Sequence, residues 1–163
     1  MVGIINLKRK NVKYILTLLS DNKETRNPIL DLSEYGLTEL PEQLSKYTWL
    51  TKLYCYENKI TDLSPIAGLT NLIKLGCAYN QITDLSPVKD LTNLILLGCS
   101  YNQIKDLSPV TKLINLKQLY CQANQITDIS PVTKLDSLVQ LWCFNNPITN
   151  LAIANKLVKL TIH

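Results

Sequence analysis

A 22-residue unit is written five times in succession, beginning at Leu50, Leu72, Leu94, Leu116 and Leu138. The second copy reads LIKLGCAYNQITDLSPVKDLTN and the third LILLGCSYNQIKDLSPVTKLIN. Every copy keeps the skeleton L-x-x-L-x-C-x-x-N-x-I. A unit this short cannot bury its own apolar face, so the copies must stack on one another as a solenoid. Such an array seldom does chemistry; it presents a long, regular surface to something else.

Composition supports one substantial core, with 46% of 163 residues hydrophobic. No stretch approaches the roughly 20 apolar residues of a membrane span. The apolar run 14–19 is too short for a signal-peptide core, and no small-residue cleavage site follows it. The expectation is therefore a cytoplasmic, intracellular protein with no membrane partner. The net charge of +4 resides in residues 1–26, which hold six basic and two acidic side chains; the remainder holds eleven of each. Lys8, Arg9, Lys10 and Lys13 read as a solvated helix face. Four clustered cations are few for gripping a nucleic-acid phosphate backbone, so nucleic acid ranks low as a partner.

All five cysteines occupy the sixth position of the unit: Cys55, Cys77, Cys99, Cys121 and Cys143. Lying two residues after the second leucine, they share its inward face of a strand. The reading is a ladder of small buried hydrophobes. Zinc sites use ligand pairs two to four residues apart, whereas these thiols project in parallel from strands about 4.8 Å apart. Parallel side chains also meet disulfide geometry poorly. Free thiols suit a reducing compartment. With His163 the only histidine, no thiol–histidine pair is in prospect. No catalytic residue, metal or cofactor is expected.

Residues 1–26 read as an N-terminal helical cap. The spacing of Val12, Ile15, Leu18 and Leu19 predicts a helix over residues 11–20. Residues 27–149 form the repeat array, with a divergent 23-residue first repeat at 27–49 and regular repeats from residue 50. The first repeat has Leu32 in the cysteine position and Tyr35 in the asparagine position. In the regular units L-x-x-L-x-C is a short strand. Asn58, Asn80, Asn102, Asn124 and Asn146 then end it, as a column bridging neighbouring turns. Ser64-Pro65, Ser86-Pro87, Ser108-Pro109 and Ser130-Pro131 read as a helix cap followed by proline in the first turn, opening a short helical or 3₁₀ return. Asp62, Asp84, Asp106 and Asp128 precede them and serve turn and cap chemistry rather than calcium, since no loop supplies enough oxygens. Residues 150–163 close the array, with an amphipathic helix expected from about residue 150.

The full pattern L-x-x-L-x-C-x-x-N-x-I-x-D-L-S-P-V-x-x-L-x-N resembles the leucine-rich repeat, in the 22-residue register of the internalin-like class. The resemblance covers residues 27 to about 157. It implies an α/β solenoid, a right-handed superhelix with a concave parallel β-sheet and short helical or 3₁₀ convex segments. It also implies that proteins bind on the concave face.

Alternation along the strand puts the third, fifth, seventh and eighth positions of each unit outward. Seven of the eleven aromatic residues fall in these twenty positions: Tyr54, Tyr56, Tyr79, Tyr101, Tyr120, Trp142 and Phe144. Rigidly held exposed aromatics are typical binding anchors. Lys52, Lys74, Gln118 and Gln140 lie beside them and would tune specificity. Gly76 and Gly98 leave a dip, flanked by Tyr54 and Tyr120. The reading is a non-enzymatic module that docks an unidentified protein on this face. The competing reading is aromatic stacking that merely supports the sheet. A structural role, with self-association of a homodimer through the C-terminal edge at residues 151–162, is the second function considered.

Overall fold

In a computed structural model of the chain, the described residues are 2–150, 152–153 and 161–162, with side chains described for 13–150 and 152–153. Seven parallel strands form one sheet in chain order: β1 (Ile29–Asp31), β2 (Lys52–Tyr54), β3 (Lys74–Gly76), β4 (Leu96–Gly98), β5 (Gln118–Tyr120), β6 (Gln140–Trp142) and β7 (Thr161–Ile162). Register follows the sequence period: Lys52 pairs with Lys74, Lys74 with Leu96, Leu96 with Gln118, and Gln118 with Gln140. Equivalent side chains therefore stand side by side across the sheet. The leucines and cysteines of this period are buried throughout, with isoleucines and valines of the return segments closing the core behind them. All five cysteines are buried and free.

Asparagine holds the turns together as the sequence predicts. The Asn102 amide nitrogen donates to the carbonyls of Cys77 at 3.0 Å, Cys99 at 3.1 Å and Ser100 at 3.2 Å. Its oxygen accepts from the Ile82 N–H at 2.9 Å. Each asparagine thus serves its own turn and the preceding one, satisfying backbone groups that the core would otherwise leave orphaned. Asn58, Asn80, Asn124 and Asn146 repeat the arrangement.

The return segments are 3₁₀ turns at Ser64–Ile66, Ser86–Val88, Ser108–Lys112 and Ser130–Lys134. Serine does not take the capping role that the sequence suggests. Serine is the first residue of each turn, and the residue before it (Leu63, Leu85, Leu107, Ile129) is the cap, with no side-chain cap bond. Aspartate does the work instead: Asp62, Asp84, Asp106 and Asp128 each accept from the serine N–H two residues on. This Asx turn fixes the entry to the return segment. Hydrogen bonds from the Ser64 hydroxyl and N–H hold the Asp62 carboxyl below its ordinary pKa.

Helix α1 spans Val2–Thr25, longer at both ends than residues 11–20. It stops at Arg26, which takes the left-handed conformation (φ 54°) and is followed by Asn27-Pro28. Ile15 and Leu19 are buried and Leu18 packs against the same core; the Val12 side chain lies outside the described residues. The helix also covers the outer edge of β1. Buried Asn22 donates to the Asn27 and Ile29 carbonyls at 3.1 and 3.0 Å, standing in for the strand that is missing there. Tyr35, where later units have asparagine, packs its ring on Tyr14 of α1 at 5.7 Å.

The first repeat is offset from the second by 23 residues, Ile29 pairing with Lys52. Leu37 and Ile60 both donate to an asparagine oxygen, of Asn58 and Asn80 respectively. Leu44 and Ile66 both close a turn onto the residue three earlier. The extra residue therefore sits between Leu37 and Leu44, in the return segment. At the other end, β7 pairs Thr161 with Gln140 and Ile162 with Leu141, so the tail adds a seventh strand over β6. The closing helix expected from about residue 150 falls largely on residues 154–160, outside the described residues; Ile153 donates to the Asn150 carbonyl at 2.9 Å.

Candidate functional site

The strand proper is three residues long, covering the third to fifth positions of each unit. Its middle leucine points inward and the two flanking residues outward, half-buried. Lys52 and Lys74 stand adjacent in register, followed by Leu96, Gln118 and Gln140. Gln118 donates to the Gln140 side-chain oxygen at 3.0 Å, and the Tyr120 hydroxyl donates to the same oxygen at 3.0 Å. Gln140 therefore orients both neighbours.

The outward aromatics form three groups. Tyr54 meets Tyr56 edge-on at 6.5 Å. Tyr79 and Tyr101 stack nearly parallel at 4.2 Å, yet stay 50% and 40% exposed. Trp142 contacts Tyr120 at 5.3 Å and Phe144 at 6.3 Å. The rings thus support one another, while Tyr79, Tyr101 and Phe144 keep exposed surface.

Two details depart from strand alternation. The eighth position is a turn residue in the left-handed region, with φ of 54° at Glu57, 55° at Tyr79, 53° at Tyr101, 54° at Ala123 and 55° at Asn145. The chain must reverse there to deliver asparagine into the core, at a cost on the order of 1 kcal/mol per non-glycine residue. Tyr79 and Tyr101 consequently project from the rim of the sheet. The seventh position is also less open than alternation implies, since Ser100 is buried.

The dip lies over Gly98 rather than over both glycines. A methyl group on Gly76 would stand 3.0 Å from Cδ1 of Tyr54, because that ring lies across the glycine. Gly98 meets nothing closer than 3.9 Å. Tyr120 leans toward β6 through its bond to Gln140 and leaves the Gly98 side open. Gly76→Ala should swing the Tyr54 ring aside while changing stability by about 1 kcal/mol or less. Aromatic proton shifts of Tyr54 would report it; unchanged shifts would mean that the ring does not rest on Gly76.

A second surface feature escaped the sequence reading. A groove of about 570 Å3 runs along the entry side of the strands, floored by Thr51, Ile73, Ile95 and Lys117 of the second position. Its wall is the last position of each unit, where Asn71, Asn93 and Asn115 donate to the Thr48, Thr70 and Thr92 carbonyls. These asparagines form an outer ladder beside the buried one. The isoleucines beside the inward leucines were the available signal. Among the described residues, no group of three or more potential ligand side chains is placed to hold a metal, and no helix is long and apolar enough to cross a membrane.

A family model described as Leucine Rich repeats (2 copies) matches residues 48–90, 70–112, 92–136 and 114–157, more than half of the chain. The chain belongs to the leucine-rich repeat family. Internalin C2 of Listeria monocytogenes is a similar solved structure, at 34% identity and a TM-score of 0.73, covering 77% of this chain and 57% of the other. An internalin F of the same species gives 32% identity and a TM-score of 0.69, over 82% and 46%. A leucine-rich repeat protein of Leptospira interrogans gives 30% identity and a TM-score of 0.75, over 82% and 36%. No curated protein sequence matches the chain. This leucine-rich repeat chain thus spans from 36% to 57% of the length of these three structures. The fold is the unclosed leucine-rich-repeat solenoid, an internalin-like array with a buried cysteine at every 22nd residue.

Proposed function

We propose that this leucine-rich repeat array is a protein-docking module whose contact surface is the outward face of its sheet. Leucine-rich repeat proteins generally bind proteins, and they are generally non-enzymatic scaffolds. The observation that carries the reading is the aromatic surface itself: Tyr79, Tyr101 and Phe144 keep 40% to 50% of their area exposed while seated on a regular parallel sheet. Large rings held rigid bury much area with little loss of side-chain freedom, which is how interface anchors act. Tyr54, Tyr56, Tyr120 and Trp142 complete the surface, and Lys52, Lys74, Gln118 and Gln140 supply its polar side. The open floor at Gly98 admits a partner side chain. Five buried free thiols fit residence in a reducing compartment.

The test pairs wild type with the Tyr101→Ala/Trp142→Ala variant in affinity capture from candidate lysates, followed by measurement of Kd for any retained protein. Loss of these anchors should weaken binding by roughly 100-fold, typical of two hot-spot truncations. Circular dichroism should be unchanged at the assay temperature. Equal retention by both proteins would move the contact off this face. The structural alternative, self-association through the C-terminal edge, rests on β7; a mass by sedimentation that stays monomeric as concentration rises would remove it.

A further inference from the structure

We infer that the pocket between α1 and the first repeat binds a small organic phosphate. The pocket lies off the sheet face, so this inference does not depend on the docking function proposed above. It measures about 480 Å3, within the range of small-ligand sites. Three cations line it: Lys23 from the last turn of α1, Arg26 from its cap, and Lys46 from the 3₁₀ turn Glu42–Lys46. Ser20 and Gln43 add neutral donors, and no acidic side chain lines it. Asp21, Glu24 and Glu42 belong to the same elements, yet none of them lines the cavity.

Among the described residues none of the three cations has a carboxylate partner; the ion pair found there is Lys112–Asp90. The negative end of the α1 dipole offsets part of this charge. What remains matches a dianion better than a single carboxylate.

Arg26 is built in, rather than merely present. It occupies a helix-ending position with φ 54°, where glycine would be unstrained. Its guanidinium lies 4.2 Å from the centre of the Trp49 ring, a cation–π contact that tethers an otherwise solvent-exposed side chain at the pocket. Trp49 is itself anchored: its indole N–H donates to the Asn22 oxygen at 3.0 Å, and its ring stacks on Tyr47 at 4.7 Å. The Tyr47 hydroxyl donates to the Leu19 carbonyl at 2.9 Å. An arginine tethered to a ring that buried Asn22 and Tyr47 anchor in turn is partly preorganised to meet an anion. Leu16, 55% exposed at the pocket wall, offers an apolar seat for the carbon body of the ligand.

The experiment is calorimetric titration of the intact chain with phenyl phosphate, inorganic phosphate and benzoate at low salt, with amide shifts mapped by NMR. Phenyl phosphate should bind in the micromolar to low millimolar range and shift residues 16–26 and 43–49. It should exceed inorganic phosphate by roughly threefold or more through its apolar contact. Arg26→Gly should weaken it roughly tenfold or more while leaving the melting temperature within about 5 °C, because glycine relieves the left-handed strain. Arg26→Lys should recover part of the loss. Lys23→Gln and Lys46→Gln should each weaken binding several-fold, and Lys112→Gln should not. Absence of binding, shifts elsewhere, or an unaffected Arg26→Gly variant would overturn the site. Benzoate equal to phenyl phosphate would overturn the dianion, and inorganic phosphate equal to phenyl phosphate would overturn the organic body.

Discussion

Asn102→Asp should lower the melting temperature by roughly 10 to 20 °C, from a loss of about 4 to 6 kcal/mol. The side chain is buried; its two N–H groups are shared among three carbonyls and its oxygen accepts from the Ile82 N–H. Aspartate is almost the same size, so no cavity forms. Instead the donors disappear, and a carboxylate oxygen faces the carbonyls of Cys77, Cys99 and Ser100. Ionised, it is repelled by all three; protonated, it regains one donor at the cost of a large pKa rise. Total stability of a domain is about 5 to 15 kcal/mol, so the substitution removes a large part of it. Position matters as well. Repeats couple to their nearest neighbours, so a fault in the middle separates two halves that cap each other's core. Asn146 is the last of the ladder and only half-buried, and Asn146→Asp should cost about half as much. Thermal unfolding followed by circular dichroism would measure both. A change of less than about 3 °C for Asn102→Asp would show that the ladder is not what holds the turns.

The ladder was legible in the sequence because its logic is one-dimensional. Leucine, cysteine and asparagine recur at fixed positions, and in-register pairing converts a column of letters into a column of side chains. The inward leucines, the free buried cysteines and the bridging asparagines follow from that alone. Features depending on how neighbouring side chains share space did not follow. Nothing in Glu57, Tyr79, Tyr101 or Ala123 announces a left-handed residue, because glycine is absent from that column and the strain is carried by the asparagine bonds that follow it. The lean of Tyr54 over Gly76, and of Tyr120 toward Gln140, is a choice among rotamers set by the next strand. In the return segments, serine and aspartate both looked like caps. Only geometry distinguishes them, since the aspartate lies two residues ahead of the N–H it accepts from. The groove floored by Ile73 and Ile95 was hidden because the second position just precedes the three strand residues and belongs to neither of their outward columns.

Stability should also collapse in mild alkali, more steeply than for proteins without a thiol column. Burial pushes the thiols of Cys55, Cys77, Cys99 and Cys121 well above their ordinary range, and each neighbouring cysteine adds to the effect. In the unfolded chain they titrate near pH ~8.5. Below that value both states hold their protons and the stabilisation is fully present. Above it the unfolded state loses thiol protons while the folded state keeps them, so stability falls as pH rises toward the folded values. Each thiol contributes a slope of about 1.4 kcal/mol per pH unit, and four together contribute about 5.5. Burial raises Tyr47 too, which adds a smaller loss of the same sign near pH ~10. Urea unfolding at half-unit intervals from about pH 8 to 10.5 would measure the slope. A variant with Cys77, Cys99 and Cys121 replaced by alanine should be less stable near neutral pH, because cavities replace sulfur, yet should lose stability about 4 kcal/mol per unit less steeply. The same thiols should resist a disulfide reagent in the folded protein and react only as fast as the array opens. Fast labelling under native conditions, or a wild-type slope below about 1.4 kcal/mol per pH unit, would mean that the ladder breathes and that the thiols are not sealed into the core.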